Sequence, residues 1–289
     1  MNKKILVLGA SGMLGSAIMK VLSKDDSFDL TGTVRGLGGL VTPPIYFHKF
    51  LRQGINVEDF DSVIKVFDSV MPEIVINCVG IIKQLPESYD PLVAIPINSL
   101  LPHRLAKLCI SRNIRLIHMS TDCIFSGNKG GYHENDFPDA NDLYGRSKFL
   151  GEVDYLGCVT LRTSIIGHEL TTTNSLINWF LSQEGSVKGY KNAIFSGLPT
   201  NEMAKVIRDH VIPNPSLKGL YHVSADPISK FDLLQLVSDV YGKIIEIIPD
   251  NLVKIDRSLN SEKFCKATGF KPKPWPQLIK EMYEFNLIN

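Results

Sequence analysis

Lys3-Lys4-Ile5-Leu6-Val7-Leu8 runs directly into Gly9-Ala10-Ser11-Gly12-Met13-Leu14-Gly15. A short apolar run ending on glycine predicts a buried strand. From Met13 to Leu22 the apolar positions take helical spacing, so the glycines fall in a turn from strand to helix. In that place each glycine has a task. Gly9 permits the tight turn, Gly12 lets backbone N–H groups approach a pyrophosphate, and Gly15 allows the helix to pack close to the strand. The helix N-terminus then presents its free donors to the anion. The spacing is G-x-x-G-x-x-G, not G-x-G-x-x-G, and glycines alone would suit a plain structural turn. The strand before and the helix after favour a dinucleotide site, with Gly9, Ser11, Gly12, Met13 and Leu14 along the cofactor.

The 289 residues suffice for one large domain or two modest ones, and 44% hydrophobic residues support a globular core. A formal net charge of +1 provides no basic field for nucleic acid. No apolar stretch approaches the roughly 20 residues of a membrane span, and the N-terminus has no cleavable signal pattern. Cys78, Cys109, Cys123, Cys158 and Cys265 are dispersed without a C-x-x-C, which points to a reducing, cytoplasmic setting and away from a structural metal.

Beyond the glycines, strands and helices alternate. Phe28 to Arg35 reads as the second strand. Its end carries Thr33-Val34-Arg35 and no carboxylate to accept from a ribose 2′-hydroxyl. Arg35 would suit a 2′-phosphate, favouring NADPH over NADH; the alternative is a solvated arginine. Leu37 to Pro44 reads as a loop and Ile45 to Phe50 as a strand. Val57 to Val70 reads as a helix with Glu58 and Asp59 in its first turn. Asn56 before it could meet the adenine amino group, cap the helix, or do both. Glu73 to Gly80 is a strand, Ile97 to Arg112 a helix and Ile114 to Met119 a strand. This alternation implies an α/β fold, a parallel sheet with helices on both faces.

Ligands in such sheets bind beyond the carboxyl ends of the strands, where Ser120-Thr121-Asp122 lies. After a polar loop from Phe125 to Asp142 comes Leu143-Tyr144-Gly145-Arg146-Ser147-Lys148. Tyr144 and Lys148 are four apart and share a helix face. A nearby ammonium should lower the tyrosine pKa and make the phenol a usable acid or base.

Together these stretches resemble the extended short-chain dehydrogenase/reductase superfamily, with a Rossmann-like sheet. The marks are Gly9 to Gly15, Asn77-Cys78-Val79-Gly80, Ser120-Thr121-Asp122, and Tyr144 with Lys148. Within it the chain is most similar to the dTDP-4-dehydrorhamnose reductase family. Further marks are Leu161-Arg162-Thr163-Ser164, Gly197-Leu198-Pro199-Thr200, Gly219-Leu220-Tyr221-His222-Val223-Ser224 and Arg257-Ser258-Leu259-Asn260-Ser261. The resemblance implies that Tyr144 protonates a carbonyl oxygen as hydride reaches its carbon, that Lys148 binds the nicotinamide ribose and tunes Tyr144, and that Thr121 bonds the same oxygen. The cofactor would run past Asn56, Val57, Cys78, Val79 and Gly80 to Ser164 and Ile165. Related dehydratases carry Thr-Asp-Glu, and Thr121-Asp122-Cys123 lacks the glutamate, which favours simple reduction over elimination. Asn56 stands where relatives often have Asp.

The rest, 167–289, should form a smaller mixed α/β domain for a nucleoside-diphosphate sugar, beside an NADP-binding domain at 1–166. The resemblance implies that 200–224 packs back on that first domain. Polar His168 to Asn174 could cover the substrate. Helices are expected at Ser175 to Leu181, Asn201 to Val211, Lys230 to Tyr241, Ser261 to Thr268 and Pro276 to Phe285, with strands at Gly219 to Ser224 and Ile244 to Ile248. Arg257 is the first choice to meet the diphosphate, with a structural salt bridge as its alternative. Lys188 and Lys191 come second. Asn174 could contact sugar hydroxyls, and Trp179 and Trp275 should lie in the core. The expected activity is NADPH-dependent reduction of the 4-keto group of a 4-keto-6-deoxyhexose nucleotide for polysaccharide synthesis, with a homodimer allowed. The alternatives are an epimerase with bound NAD(P) and a non-catalytic NADP-binding regulatory subunit.

Overall fold

Seven parallel strands set the frame: β1 (Lys3–Leu8), β2 (Phe28–Thr33), β3 (Leu51–Arg52), β4 (Ile74–Asn77), β5 (Arg115–Thr121), β6 (Cys158–Thr163) and, from much later in the chain, Gly219–His222. They pair in the order Gly219–His222, β6, β5, β4, β1, β2, β3. This is a computed structural model that describes residues 2–36 and 49–287. The order reverses between β1 and β4, which opens a crevice at their carboxyl ends. Ile5, Leu6, Val7 and Leu8 are all fully buried, as a continuous apolar run must be when helices cover both faces. Ile5 and Val7 face one core with α1 (Met13–Leu22). Leu6 and Leu8 face the other, with α2 (Phe60–Val70) and the helix after β4.

That last helix is longer than its sequence suggests. It starts at Pro91, with Asp90 accepting from the Leu92 N–H as N-cap. It runs through α3 (Pro91–Ala94), a π-helical stretch Ile95–Leu100 and α4 (Leu101–Ser111). Pro96 lies in the first turn of the π-helical stretch and Pro102 in the first turn of α4. Elsewhere the bounds tighten. The second strand ends at Thr33, not Arg35, and the helix read from Val57 begins at Phe60 because Asp59 is its N-cap, accepting from Asp61 N. The strand read as Glu73 to Gly80 is Ile74–Asn77. Of the strand read at Ile45 to Phe50, residues 45–48 lie outside the described residues, as does Leu37 to Pro44; the described strand there is β3.

Helix α5 (Leu143–Leu150), capped by Asp142, follows β5. Beyond β6 come β7 (Ile165–Ile166), α6 (Leu176–Ser182), β8 (Ser186–Phe195), β9 (Leu198–Pro199), α7 (Thr200–Val206), β10 (Gly219–His222), β11 (Ile228–Ser229), α8 (Lys230–Tyr241), β12 (Glu246–Asp256), α9 (Glu262–Thr268) and α10 (Trp275–Leu287). β8 pairs antiparallel with β11 and parallel with β12, giving a mixed three-stranded sheet. β10 instead returns to the main sheet beside β6. Sequence reading missed β8 entirely, and the strand read as Ile244 to Ile248 extends to Asp256 across an irregularity between Asp250 and Lys254. β12 is mostly exposed, and β8, although it buries Val187, Gly189, Ala193 and Phe195 on one face, has Gly189 and exposed Lys191 among its alternate positions and so carries a weak hydrophobic alternation in sequence. Trp275 lies in the core, its Nε1 donating to the Asp226 carbonyl, whereas Trp179 is 39% exposed and is no core residue. No described helix is long and apolar enough to cross a membrane.

Candidate active site

The crevice begins at the glycine turn. Gly9 has φ +79°, a conformation that side chains rarely adopt. Gly15 lies against Gly9, where a Cβ would be driven into the Gly9 carbonyl oxygen. Gly12 is exposed, and a Cβ there would only touch Gly9 O at 3.4 Å. Gly12 is the N-cap of α1, and no side chain caps the helix. The first-turn N–H groups of Met13 and Leu14, with exposed Ser11 beside them, are therefore left for an anion.

The end of β4 is shaped by a buried amide. Asn77 Oδ1 accepts from Val79 N at 3.1 Å, and its Nδ2 lies 3.1 Å from His118 Nδ1. This holds the backbone of Cys78, Val79 and Gly80 along the mouth of the crevice. At Gly80 an added Cβ would reach 3.3 Å from Asn98 Oδ1 and 3.7 Å from Lys148 Nζ. Asn98, from the π turn, accepts from Ile81 N at 2.9 Å and donates to Ser147 Oγ at 3.2 Å. It thereby ties the β4 loop to the helix that carries Tyr144 and Lys148. Sequence reading placed Asn98 within an expected helix and gave it no role.

Helix α5 is drawn onto the end of β5 by Gly145, where a side chain would strike the Cys123 carbonyl oxygen. That closeness brings Tyr144 beside Thr121. Thr121 Oγ1 also accepts from Cys123 N at 3.1 Å and lies 3.2 Å from Asp122 Oδ1. Lys148 is buried, and its Nζ donates to the Met119 carbonyl at 2.8 Å. Burial pushes Lys148 down to about 8, while Glu152 and Cys78 pull it back up. The expected lowering of the Tyr144 pKa is not found. Desolvation, then the neighbouring Cys123, raises it against the pull of Thr121. At neutral pH the phenol is thus protonated, a proton donor and not a base.

In front of the phenol lies a charged wall. Asp122 is buried, with Thr121 Oγ1 3.2 Å from its Oδ1; burial pushes its carboxyl up, and Arg257 opposes the shift. Burial likewise pushes the Cys123 thiol up to about 12, with Asp122 adding to it. Arg257 Nε donates to the Phe125 carbonyl at 2.7 Å. The structural salt bridge offered as its alternative does not form among the described ion pairs; its charge instead acts on Asp122, Asp139 and Asp142. Lys83 closes the wall with a 2.6 Å salt bridge to Asp142.

The other expected contacts are spread along the rim. Arg35 is exposed just past β2, and its carbonyl accepts from Gly54 N at 3.2 Å. Asn56 and Val57 are half-buried nearby, and Asn56 Oδ1 faces Glu58 N at 3.3 Å. Ser164 and Ile165 follow β6, with Ser164 beside Asp122. Asn174 is exposed before α6 and makes no hydrogen bond to Asp122 or Arg257 among the described residues. Lys188 pairs with Asp250 at 3.3 Å, and Lys191 sits 5.2 Å over the Phe231 ring.

A glycine turn with an uncapped helix at the reversal of a parallel sheet, and a tyrosine and lysine one turn apart at the next strand end, define a dinucleotide-binding protein of the short-chain dehydrogenase/reductase type. The sequence pattern of the RmlD substrate binding domain matches residues 3–286, and the chain belongs to that family. Two curated relatives differ in kind. One is methionine adenosyltransferase 2 subunit beta of Danio rerio, 29% identical over 254 residues, 83% of this chain and 74% of that protein. The other is dTDP-4-dehydrorhamnose reductase of Aggregatibacter actinomycetemcomitans, 25% identical over 305 residues, covering 96% and 98%. The crystal structure of dTDP-4-dehydrorhamnose reductase from Bacillus anthracis in complex with NADP shares the fold, with a TM-score of 0.79 at 18% identity over 98% of each chain.

Proposed function

We propose that the chain is an NADPH-dependent reductase of the 4-keto group of a nucleoside-diphosphate 4-keto-6-deoxyhexose, dTDP- or UDP-linked, that works in the cytoplasm and serves polysaccharide precursor synthesis. The observation that carries this reading is the buried Lys148 one helical turn from Tyr144, whose phenol stays protonated beside Thr121. The free first turn of α1 and the bare backbone at Gly80 fit a nicotinamide dinucleotide, which would supply hydride when bound. Gly9, Ser11, Gly12, Met13 and Leu14 would hold its pyrophosphate, Arg35 the 2′-phosphate, Asn56 and Val57 the adenine side, and Cys78, Val79, Gly80, Ser164 and Ile165 the nicotinamide half. Tyr144 then gives its proton to the carbonyl oxygen. Thr121 and the Lys148 ammonium steady the charge that develops there, where preorganised donors act most strongly. Arg257 would meet the diphosphate, and Asp122 and Asn174 the sugar hydroxyls.

We divide the chain into an NADP-binding part at 1–166, joined by 200–224, and a substrate part at 167–289. The return of β10 to the main sheet supports this division. The resemblance to methionine adenosyltransferase 2 subunit beta favours a second reading, a non-catalytic NADP-binding subunit. Intact Thr121, Tyr144 and Lys148 weigh against it. The test is NADPH absorbance on addition of dTDP- and UDP-4-keto-6-deoxyhexoses. One NADPH consumed per sugar supports the reductase. Sugar interconversion without net consumption would make the chain an epimerase, and silence with tight NADPH binding would make it a regulatory subunit.

A further inference from the structure

Lys83 and Asp142 meet at the mouth of the crevice, and the proposed reaction uses neither. Asp142 divides its oxygens: Oδ1 accepts from Gly145 N at 2.7 Å as the N-cap of α5, and Oδ2 accepts from Lys83 Nζ at 2.6 Å. Lys83 reaches across from the turn after β4, where its backbone is fixed. Ile81 N donates to Asn98 Oδ1 at 2.9 Å, and the Lys83 carbonyl accepts from Ser88 Oγ at 3.2 Å. The side chain is held only at its tip. It keeps 37% of its surface exposed and Asp142 keeps 33%, and an ion pair that open is weak. An ammonium has three protons to donate, and Asp142 is the one acceptor of Lys83 Nζ among the described residues.

Arg257 stands on the same rim. Gly145 packs against the Cys123 carbonyl, Ala140 N donates to the next carbonyl, that of Ile124, at 3.0 Å, and Arg257 Nε takes the one after, that of Phe125, at 2.7 Å. The two Nη groups of Arg257 have no acceptor among the described residues. Asp139, which also feels the Arg257 charge, spends its oxygens on Ser126 N and Oγ. Lys83 and Arg257 act together on Asp142: against burial, and with the Gly145 N–H, they hold its carboxyl below the ordinary value. The rim therefore has spare N–H donors on two cations, and a diphosphate has the anionic oxygens to match them.

We propose that Lys83 is a second cation for the diphosphate of the nucleoside-diphosphate sugar, beside Arg257: Asp142 holds its ammonium until the substrate enters, and the diphosphate then takes it over. This rests on the sugar-nucleotide reading for the class of the ligand. The exchange leaves no charge bare. Lys83 trades one anionic oxygen for another, swinging on a flexible side chain from a fixed backbone. Asp142 keeps the Gly145 N–H and the positive end of the α5 dipole when Lys83 leaves. The rival is a permanent strap, in which the same ion pair ties the turn after β4 to α5 and does nothing else. The two differ in the sign of one effect. Removing the Asp142 charge frees Lys83 for the diphosphate in the first case and loosens the site in the second.

The test is isothermal titration of UDP and dTDP into the NADP⁺-loaded chain, with Lys83→Met, Asp142→Asn and the double variant. Asparagine keeps the helix cap and drops the charge that holds Lys83. Lys83→Met should weaken the diphosphate about tenfold. Asp142→Asn should tighten it about two- to fivefold, the worth of an exposed ion pair. The double variant should fall with Lys83→Met, since no ammonium is left to release, and NADPH affinity should hold in all three. Weaker diphosphate binding by both single variants would make the pair a strap and overturn the proposal. So would an affinity that Lys83→Met does not move, a loss of NADPH affinity with either substitution, or a wild type that binds neither nucleotide. A chain that shows the opposite signs yet reduces no 4-keto sugar keeps the role of Lys83 and loses the reductase reading. Turnover of the sugar with Lys83→Met binding as tightly as the wild type does the reverse.

Discussion

The two walls of the crevice are built by opposite means. The cofactor wall is backbone and small residues: the Gly9–Gly15 turn, the free end of α1, the stretch from Cys78 to Gly80. The substrate wall is charged side chains from distant segments: Lys83, Asp122, Asp142 and Arg257. The first kind of wall recognises what is common to all dinucleotides, namely phosphate and a flat ring, and leaves little for a side chain to change. The second is free to vary, and on the proposed reading it is where the sugar and the base are told apart. Variants on the two walls should therefore fail differently, one in cofactor binding or folding and the other in KM.

Between the walls stands Tyr144, and its loss should have the largest effect. Tyr144→Phe should lower kcat by about 10²–10⁴-fold with NADPH affinity almost unchanged; stopped-flow turnover and a fluorescence titration check both. On the substrate wall, Arg257→Ala should raise the sugar-nucleotide KM by about 10- to 150-fold, the equivalent of about 1.5–3 kcal/mol for a hydrogen bond to a charged group. An unchanged KM in steady-state kinetics would take Arg257 out of the site. On the cofactor wall, the paired variants Gly15→Ala and Gly12→Ala sharpen the contrast. The first forces a Cβ into the Gly9 carbonyl and should cost about 1–3 kcal/mol of stability, seen as a lower Tm. The second finds room and should leave Tm unchanged while weakening NADPH. At the rim, Arg35→Ala should weaken NADPH about tenfold and NADH little; equal losses in isothermal titration would show that Arg35 does not meet a 2′-phosphate.

A separate effect is on stability against pH. Lys148 is held at about 8 in the folded chain, below its ordinary 10.5. Below pH 8 both folded and unfolded chains carry its proton, and the folded state bears the cost of a buried charge. Between pH 8 and 10.5 only the unfolded chain does, so this group adds stability as pH rises through that window. Lys148→Met should flatten that part of a Tm-versus-pH curve relative to the wild type.

Legibility in the sequence follows the same division. The cofactor wall is local: strand, turn and helix are consecutive, so β1, α1 and the glycine roles could be read from a dozen residues. α8 was likewise legible to the residue, Lys230 to Tyr241, because Ser229 caps it and Gly242 ends it in a left-handed turn. The substrate wall is not local. Arg257 meets the Phe125 carbonyl across 132 positions, and nothing in either segment announces the other. β8 escaped because the face that buries Val187, Ala193 and Phe195 also carries Gly189 and Lys191, which break its apolar alternation in sequence. The raised Tyr144 pKa escaped because a helix-face argument counts the nearby ammonium and not the desolvation or the neighbouring thiol. Asn98 escaped because a polar residue within an expected helix, Ile97 to Arg112, gives no sign that its side chain bridges Ile81 and Ser147.

The most direct test of the central claim follows the hydride itself. Wild-type chain is given NADPH deuterated at nicotinamide C4 and a dTDP- or UDP-4-keto-6-deoxyhexose, and the sugar product is weighed by mass spectrometry beside a Tyr144→Phe control. The account predicts one deuterium on the sugar's C4 with the wild type and almost none with Tyr144→Phe at equal cofactor occupancy. A sugar that acquires no deuterium, or the same labelling rate from both chains, would contradict it.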